Sequence, residues 1–224
     1  MRTCLLVVCF ACGLAGAWGG DDPPKGGKKS DAVWKTERAT DGQTVLSDGK
    51  LSVTFPTGAK VEVSKAYASG DIKQETGLKL KGYLSVERKD APAEAKEAAD
   101  ARKWLKGYIE DQLDKDRKSE YKGEKNYNDV KLVKSSEVTL DTIKGLKVIT
   151  DHGKESLGTI RIEGGYHHVK ESDLYLIGDH LYILGASGSG APTNRNAAAL
   201  FGDNTGFHQS DLAQNYFKSA KVRK

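Results

Sequence analysis

Beyond Cys12 the sequence of 224 residues contains no cysteine: all three, Cys4, Cys9 and Cys12, fall in the first dozen positions. Once that leading segment is removed, disulfides cannot hold the chain together, and cysteine nucleophiles, thiolate metal centres and thioredoxin-like redox chemistry are excluded. A bilayer-length apolar run is missing too. The apolar stretch from Cys4 to Ala15 is about a dozen residues, against the roughly 20 that a permanent helical span needs. Nor does charge of one sign prevail. Lys and Arg number 35 and Asp and Glu 31, so the net charge of +4 is a small remainder of two interspersed populations and implies no nucleic-acid partner. With 38% hydrophobic residues and a mean hydropathy of -0.56, neither pervasive disorder nor a polytopic membrane protein fits.

What is present at the start reads as an export signal. Arg2 precedes the apolar run, and Ala15-Gly16-Ala17 is a small-residue triplet of the type signal peptidase cuts after. Residues 1-17 are therefore expected to be a signal peptide, with a mature chain from Trp18 that is periplasmic or secreted and has no transmembrane segment. Cys12 follows Cys9-Phe10-Ala11, too early and too bulky for a lipoprotein site. Residues 18-31, mostly GGDDPPKGGKKSD, offer almost nothing to a core and read as a flexible Gly/Pro/Lys tether. No comparable break and no internal repeat follow, so residues 32-224 are expected to form a single α+β domain, long enough to bury about 70% of its unfolded surface.

Within that domain the period of the apolar residues changes twice. Gln43 to Leu46 and Leu51 to Phe55 flank Asp48-Gly49, which predicts a hairpin with a type I′ turn. From Leu78 to Val86, Leu78, Leu80, Leu84 and Val86 alternate with Lys79, Lys81 and Ser85, giving a strand with one buried and one wetter face. From Asp90 to Lys115 the spacing becomes helical. Ala98, Ala101, Trp104, Leu105, Tyr108, Ile109 and Leu113 form one stripe centred on Trp104, with Lys103, Lys106, Glu110 and Asp111 outside it and Asp90 and Pro92 as start signals. After a solvated connection at 115-134, strands are expected at Val130 to Val133, Glu137 to Leu140, Leu146 to Thr150, Gly158 to Ile162 and Val169 to Ile177. Gly178-Asp179 has the form of a type II′ turn leading to His180 to Leu184. Helical patterns close the chain at Thr193 to Phe201 and Asp211 to Ala220. With no alternating βαβ units, the fold class is α+β: a mainly antiparallel sheet with helices packed on it.

Three segments carry a family resemblance. Asp48-Gly49-Lys50-Leu51-Ser52-Val53-Thr54-Phe55-Pro56, the hairpin Leu174 to Leu184, and Tyr216-Phe217-Lys218-Ser219-Ala220-Lys221-Val222 together resemble exported bacterial proteins of the PsbP and Mog1-like type. The resemblance implies an α/β/α sandwich around an antiparallel sheet and no catalytic residues. Ala220 departs from it, standing where the pattern has an aromatic.

Sites of chemistry are sparse. The five histidines, His152, His167, His168, His180 and His208, show no His-x-His or His-Glu-x-x-His spacing, and His167 and His168 are adjacent, so on a strand they point to opposite faces. The Gly185 to Gly190 run lacks the Lys-Ser/Thr of a phosphate loop and does not match Gly-x-Ser-x-Gly. The acidic clusters lie on polar faces. The sequence thus favours a non-enzymatic accessory or binding domain with an unknown protein or cell-envelope partner, and neither a cofactor nor a metal is expected. Two alternatives remain open: a metal-dependent hydrolase using His152, His167 and His180, and a module for anionic cell-surface polymers using Lys115, Arg117, Lys118, Lys122 and Lys125. The Gly185 to Gln209 segment, read as a long loop, is the expected functional border, with Asn194, Arg195, Asn204 and His208 as its candidate binding residues.

Overall fold

A computed structural model describes residues 32-39, 41-75, 79-96, 98, 100-118, 120-121, 124-125, 130-154, 167-190 and 207-223. The strands are β1 (Lys35–Arg38), β2 (Thr44–Ser47), β3 (Leu51–Phe55), β4 (Lys60–Val63), β5 (Tyr67–Glu75), β6 (Lys79–Asp90), β7 (Glu120–Tyr121), β8 (Glu124–Lys125), β9 (Lys131–Leu140), β10 (Ile143–Lys154), β11 (His167–Ile177), β12 (His180–Gly190) and β13 (Lys221–Val222). The helices are α1 (Ala93–Lys96), α2 (Ala101–Lys118) and α3 (Asp211–Lys218), the last preceded by a 3-10 turn at Phe207–Gln209. A seven-stranded sheet runs β4-β5-β6-β12-β11-β10-β9, a four-stranded sheet runs β1-β2-β3-β13, and β7 pairs with β8. Every described pairing is antiparallel.

Strand alternation splits the core between the two faces of the large sheet. On β12, Tyr182, Leu184 and Ala186 join Leu84, Val86, Phe55, Leu46, Tyr216 and Phe217 in a cluster covered by the small sheet and α3. Leu181 and Ile183 point the other way and pack with Leu174, Leu146 and Val148 under Leu105, Ile109 and Leu113 of α2. The α+β fold with helices on an antiparallel sheet is the one the sequence implies. The hairpin at Gly178-Asp179 also has the expected form, with Ile177 paired to His180 and a positive φ of 59° at Gly178.

Several local expectations change. The helix expected from Asp90 is two helices. β6 continues to Asp90, Pro92 starts α1, and Asp100 starts α2 by accepting the N–H of Arg102 at 3.0 Å. The stripe on α2 is centred on Leu105, Ile109 and Leu113, all at most 1% exposed, while Trp104 is only half-buried at its edge. The Asp48-Gly49 turn is not type I′, because that turn needs two positive φ values and only Gly49 has one, 91°. Instead the Asp48 carboxylate accepts the N–H groups of Lys50 and Leu51 at 2.9 and 2.8 Å and so closes a longer loop. The two strands expected at 130-140 are one, β9. Strands β4 and β5 were not among the expected elements: Tyr67–Glu75 (YASGDIKQE) is poor in β-formers, and Lys60–Val63 (KVEV) alternates over only four residues.

The largest correction concerns the presumed loop at 185-209. Gly185 to Gly190 belongs to β12, paired with β11 on one side and β6 on the other, and Phe207–Gln209 is the 3-10 turn. Small residues suit this central strand because neighbours cross it. A Cβ at Gly185 would lie 2.7 Å from Ser85 Oγ and 3.0 Å from Lys170 Cε, so the glycine leaves a trough through which Lys170 extends. Gly82 on β6 similarly makes room for the Phe207 ring. Residues 191-206 lie outside the described residues, as do the strand expected at 158-162 and the helix at 193-201.

Candidate functional site

Of the four residues expected to border a binding surface, Asn194, Arg195 and Asn204 lie outside the described residues, and His208 is placed by its backbone in the 3-10 turn. The histidine constellation is separated by the strand register. His167 pairs with Gly190 at one end of the β11–β12 ladder and His180 with Ile177 at the other, ten residues along β11, which is roughly 33 Å at strand rise. His152 lies on β10 near the His167 end, so His152, His167 and His180 cannot share one ion. Among the described residues no group of three His, Cys, Asp or Glu side chains could hold a metal.

His180 serves the hairpin end of the sheet instead. Its Nδ1 lies 3.5 Å from Lys50 Nζ and its Nε2 3.6 Å from Asp90. Burial, with the charges of Arg88 and Lys50, holds the imidazole below its ordinary value. Beside it Tyr182 donates to Asp48 Oδ2 at 2.6 Å and Arg88 donates at 3.1 Å. Burial alone would raise Asp48, yet these donors and the two backbone N–H groups hold it below the carboxylate range. This cluster is a clamp between the two sheets.

A second polar cluster lies on the face covered by α3. Lys147 on β10 contacts the Glu171 carboxylate on β11 and lies 3.5 Å from Asp173 Oδ1 and 4.9 Å from the centre of the Phe217 ring. Asp173 is 2% exposed, and its Oδ1 has no hydrogen bond. Burial pushes its carboxyl up to about 6 against the opposing pull of Lys147. The neighbouring cleft, about 190 Å³, is lined by Lys134, Ser136, Lys147, Ile149, Glu171 and Gln214.

The face carrying α2 is built differently. The helix packs over β9 and β10, and the strands toward β6 present polar side chains that no described helix covers. Alternation on β6 sends Tyr83, Ser85, Glu87 and Lys89 to this face, opposite the buried Leu84 and Val86. The hydroxyls of Tyr67 and Tyr83 bond to each other, Lys89 Nζ lies 3.3 Å from Glu87, and Lys89 donates to Tyr108 Oη of α2 at 3.4 Å. Burial pulls the Lys170 ammonium down to about 8, although Glu87 and Asp116 favour its charged form. Burial likewise raises Asp116, opposed by Lys170.

Along α2, Asp100, Lys103, Trp104, Gly107, Tyr108 and Asp111 fall on one flank and line an open groove of about 670 Å³. The rings of Trp104 and Tyr108 stack with centroids 5.5 Å apart and planes at 22°. Between them stands Gly107, in the helix interior, where glycine costs about 1 kcal/mol relative to alanine. A Cβ there would meet nothing within 4 Å. The glycine therefore has no packing reason inside the described structure, and it leaves the helix backbone open on the groove side. Stacked rings, hydroxyls, an exposed stretch of backbone and charges of both signs suit recognition of a polypeptide. The sequence showed the wet face of β6 and the aromatic residues of α2, but not that the fold would set them side by side.

No protein-family model and no curated protein matches the sequence. Among solved structures the chain is similar to the Ran-binding protein Mog1p of Saccharomyces cerevisiae, at 12% identity, covering 85% of this chain and 97% of that one with a TM-score of 0.50. It is also similar to a point mutant of protein Mog1, at 12% identity over 85% of this chain and 97% of that one, TM-score 0.49. A cyanobacterial PsbP from Synechocystis sp. PCC 6803 aligns at 12% identity over 88% and 96% of the two chains, TM-score 0.36. At such identity the likeness speaks for architecture alone, and that architecture is the PsbP/Mog1-like fold.

Proposed function

We propose that the chain is an exported, non-enzymatic binding domain that receives a protein partner on the open face beside α2. One observation carries the reading: the half-buried Trp104–Tyr108 stack, with Gly107 between its members, sits at the edge of a sheet face furnished with hydroxyls and paired charges that the core does not use. Aromatic rings supply contact area at low entropic cost, and the surrounding polar groups supply orientation. The yeast protein of the same fold is a Ran-binding protein, so this architecture is used for protein recognition elsewhere. Export rests on the leading segment, and among the described residues no helix is long and apolar enough to cross a membrane.

The test compares three baits, each starting at Trp18, against the exported fraction of the native host. Unmodified chain and Lys218→Ala, altered at an exposed position of α3, should capture the same partner; Trp104→Ala/Tyr108→Ala should not. Equal capture by all three would remove the face from consideration. Intact-mass measurement of the exported chain should give a start at Trp18, and an uncleaved chain would remove the export part of the reading.

A further inference from the structure

One edge of the large sheet is complementary to itself. Among the described residues β4 has a single neighbour, β5. At the turn between them Ser64 N–H donates to Tyr67 O at 2.8 Å. Successive residues of an antiparallel strand send their N–H and C=O groups to opposite sides, so Glu62 and Lys60 turn theirs toward β5, while Val63 and Val61 turn theirs to the outer edge. The side chains alternate between the two faces of the sheet. Ala59, Val61 and Val63 pack against the core beneath the small sheet and are only partly buried. Lys60 and Glu62 stand on the opposite face, with 79% and 73% of their side chains exposed.

Charge on an edge strand ordinarily keeps other strands away, and its effect depends on how the charges fall when a second edge approaches. Two copies of β4 related by a two-fold axis can align about Lys60, about Val61 or about Glu62. The first alignment sets lysine against lysine and the third sets glutamate against glutamate, which is destabilising. Alignment about Val61 sets Lys60 against Glu62 of the second copy, and does so twice, while each charge keeps its 3.3 Å contact within its own chain. On the other face it sets Val61 against its own copy and Val63 against Ala59, so the apolar side of the strand continues across the junction. The backbone agrees with this register. Val61 N–H meets Val61 O of the second copy and Val63 N–H meets Ala59 O, while the Ala59 N–H stays with Pro56 O at 3.1 Å. The edge of the small sheet, β1, repeats the charge order with Lys35 and Glu37, but its four residues are all exposed and Glu37 lies 3.7 Å from Arg223. It has no apolar side to bury.

We propose that β4 is the interface of a two-fold dimer, in which the β4 strands of two copies pair antiparallel about Val61 and join the two seven-stranded sheets into one. The axis runs perpendicular to the sheet, so like faces stay together. The α2 faces of the two copies then look the same way, and a partner that presents its site twice is held by both. A contact this short falls below the about 1,200 Å² of a standard interface, so the dimer is weak and fills at high micromolar concentration. It forms whether or not the α2 face takes a partner.

Sedimentation equilibrium of the chain that starts at Trp18 is the test, and it should follow a monomer–dimer isotherm. Lys60→Glu sets acid against acid and Glu62→Lys sets lysine against lysine, so each variant alone should associate about tenfold more weakly or worse. Mixed in equal amounts, the two should associate again as a heterodimer, because every opposed pair is once more of unlike charge. Both positions are exposed, so the melting temperatures should stay near that of the unmodified chain. Val61→Pro removes an outward N–H at a sheet edge, where proline is tolerated, and should weaken association as well. Lys35→Glu on β1 should leave it unchanged. A chain that stays monomeric up to millimolar concentration overturns the proposal. So does a dimer indifferent to the Lys60, Val61 and Glu62 variants, a mixture that fails to associate again, or association lost through Lys35→Glu.

Discussion

The two faces of the seven-stranded sheet meet the same requirement, removal of apolar strand residues from water, in different ways. On one face the small sheet and α3 together cover Leu84, Val86, Leu184 and Ala186, and hydrogen bonds tie α3 and its C-terminal end to the strands: Tyr216 donates to Ser85 O at 2.6 Å and Ser219 accepts from Thr54 N–H at 2.9 Å. On the other face, among the described residues, α2 covers Leu146, Val148 and Leu174, and the strands beyond it carry Tyr67, Tyr83, Glu87 and Lys89. The first face is finished by folding. Among the described residues, α2 is the helix that lies on the second, and the proposed binding face beside it rests on that contrast.

The largest effect that sharpens this contrast is expected under α2. Leu105 is fully buried, so Leu105→Ala should cost about 2–5 kcal/mol in denaturant unfolding. A cost below 1 kcal/mol would mean that the helix does not complete the core.

Next comes pH, through the α3 face. The Asp173 carboxyl is raised to about 6 from an ordinary value of 3.8, so the native state favours its protonated form. Its contribution is therefore full below about pH 4 and is lost as pH rises through 6, on the order of 2–3 kcal/mol. Asp173→Asn should flatten the stability profile between pH 4 and 7. A variant that keeps the wild-type slope would assign that slope to another group.

Smaller still is the expected cost of Gly185→Ala, about 1–3 kcal/mol, since the added methyl must displace Ser85 Oγ and the Lys170 stem. An unchanged melting temperature would show that Lys170 does not use the trough. The smallest effect has the opposite sign. Gly107→Ala should stabilise the protein by about 1 kcal/mol, because helix propensity improves and nothing obstructs the methyl, while weakening whatever docks in the groove. Stabilisation with undiminished binding would leave Gly107 without a role at this face.

How much of this could be read beforehand depended on whether the signal was local. The hairpin at Gly178, the α3 residues Tyr216 and Phe217, and the buried positions Leu105, Ile109 and Leu113 follow from turn chemistry and period, which act over a few residues. The strand at Gly185 to Gly190 did not. Gly and Ser disfavour strands locally, and only the neighbouring Lys170, Ser85 and Phe207 explain why small residues line the middle of the sheet. The candidate site escaped for a related reason. Trp104 looked like the centre of the apolar stripe because composition cannot show by how many degrees a helix is rotated on its sheet, and Glu87, Lys89 and Tyr108 are ordinary surface residues until the fold brings them together.

The central claim is that the α2 flank is maintained for binding and not for stability, and Trp104→Ala tests it most directly. Its unfolding free energy and its retention of a partner should be measured on the same preparation. The account predicts a stability loss below that of Leu105→Ala, under about 2 kcal/mol for a ring that packs only at the edge of the core, together with loss of the partner. A loss of 3–5 kcal/mol, as for a fully buried tryptophan, with the partner still held, would contradict it.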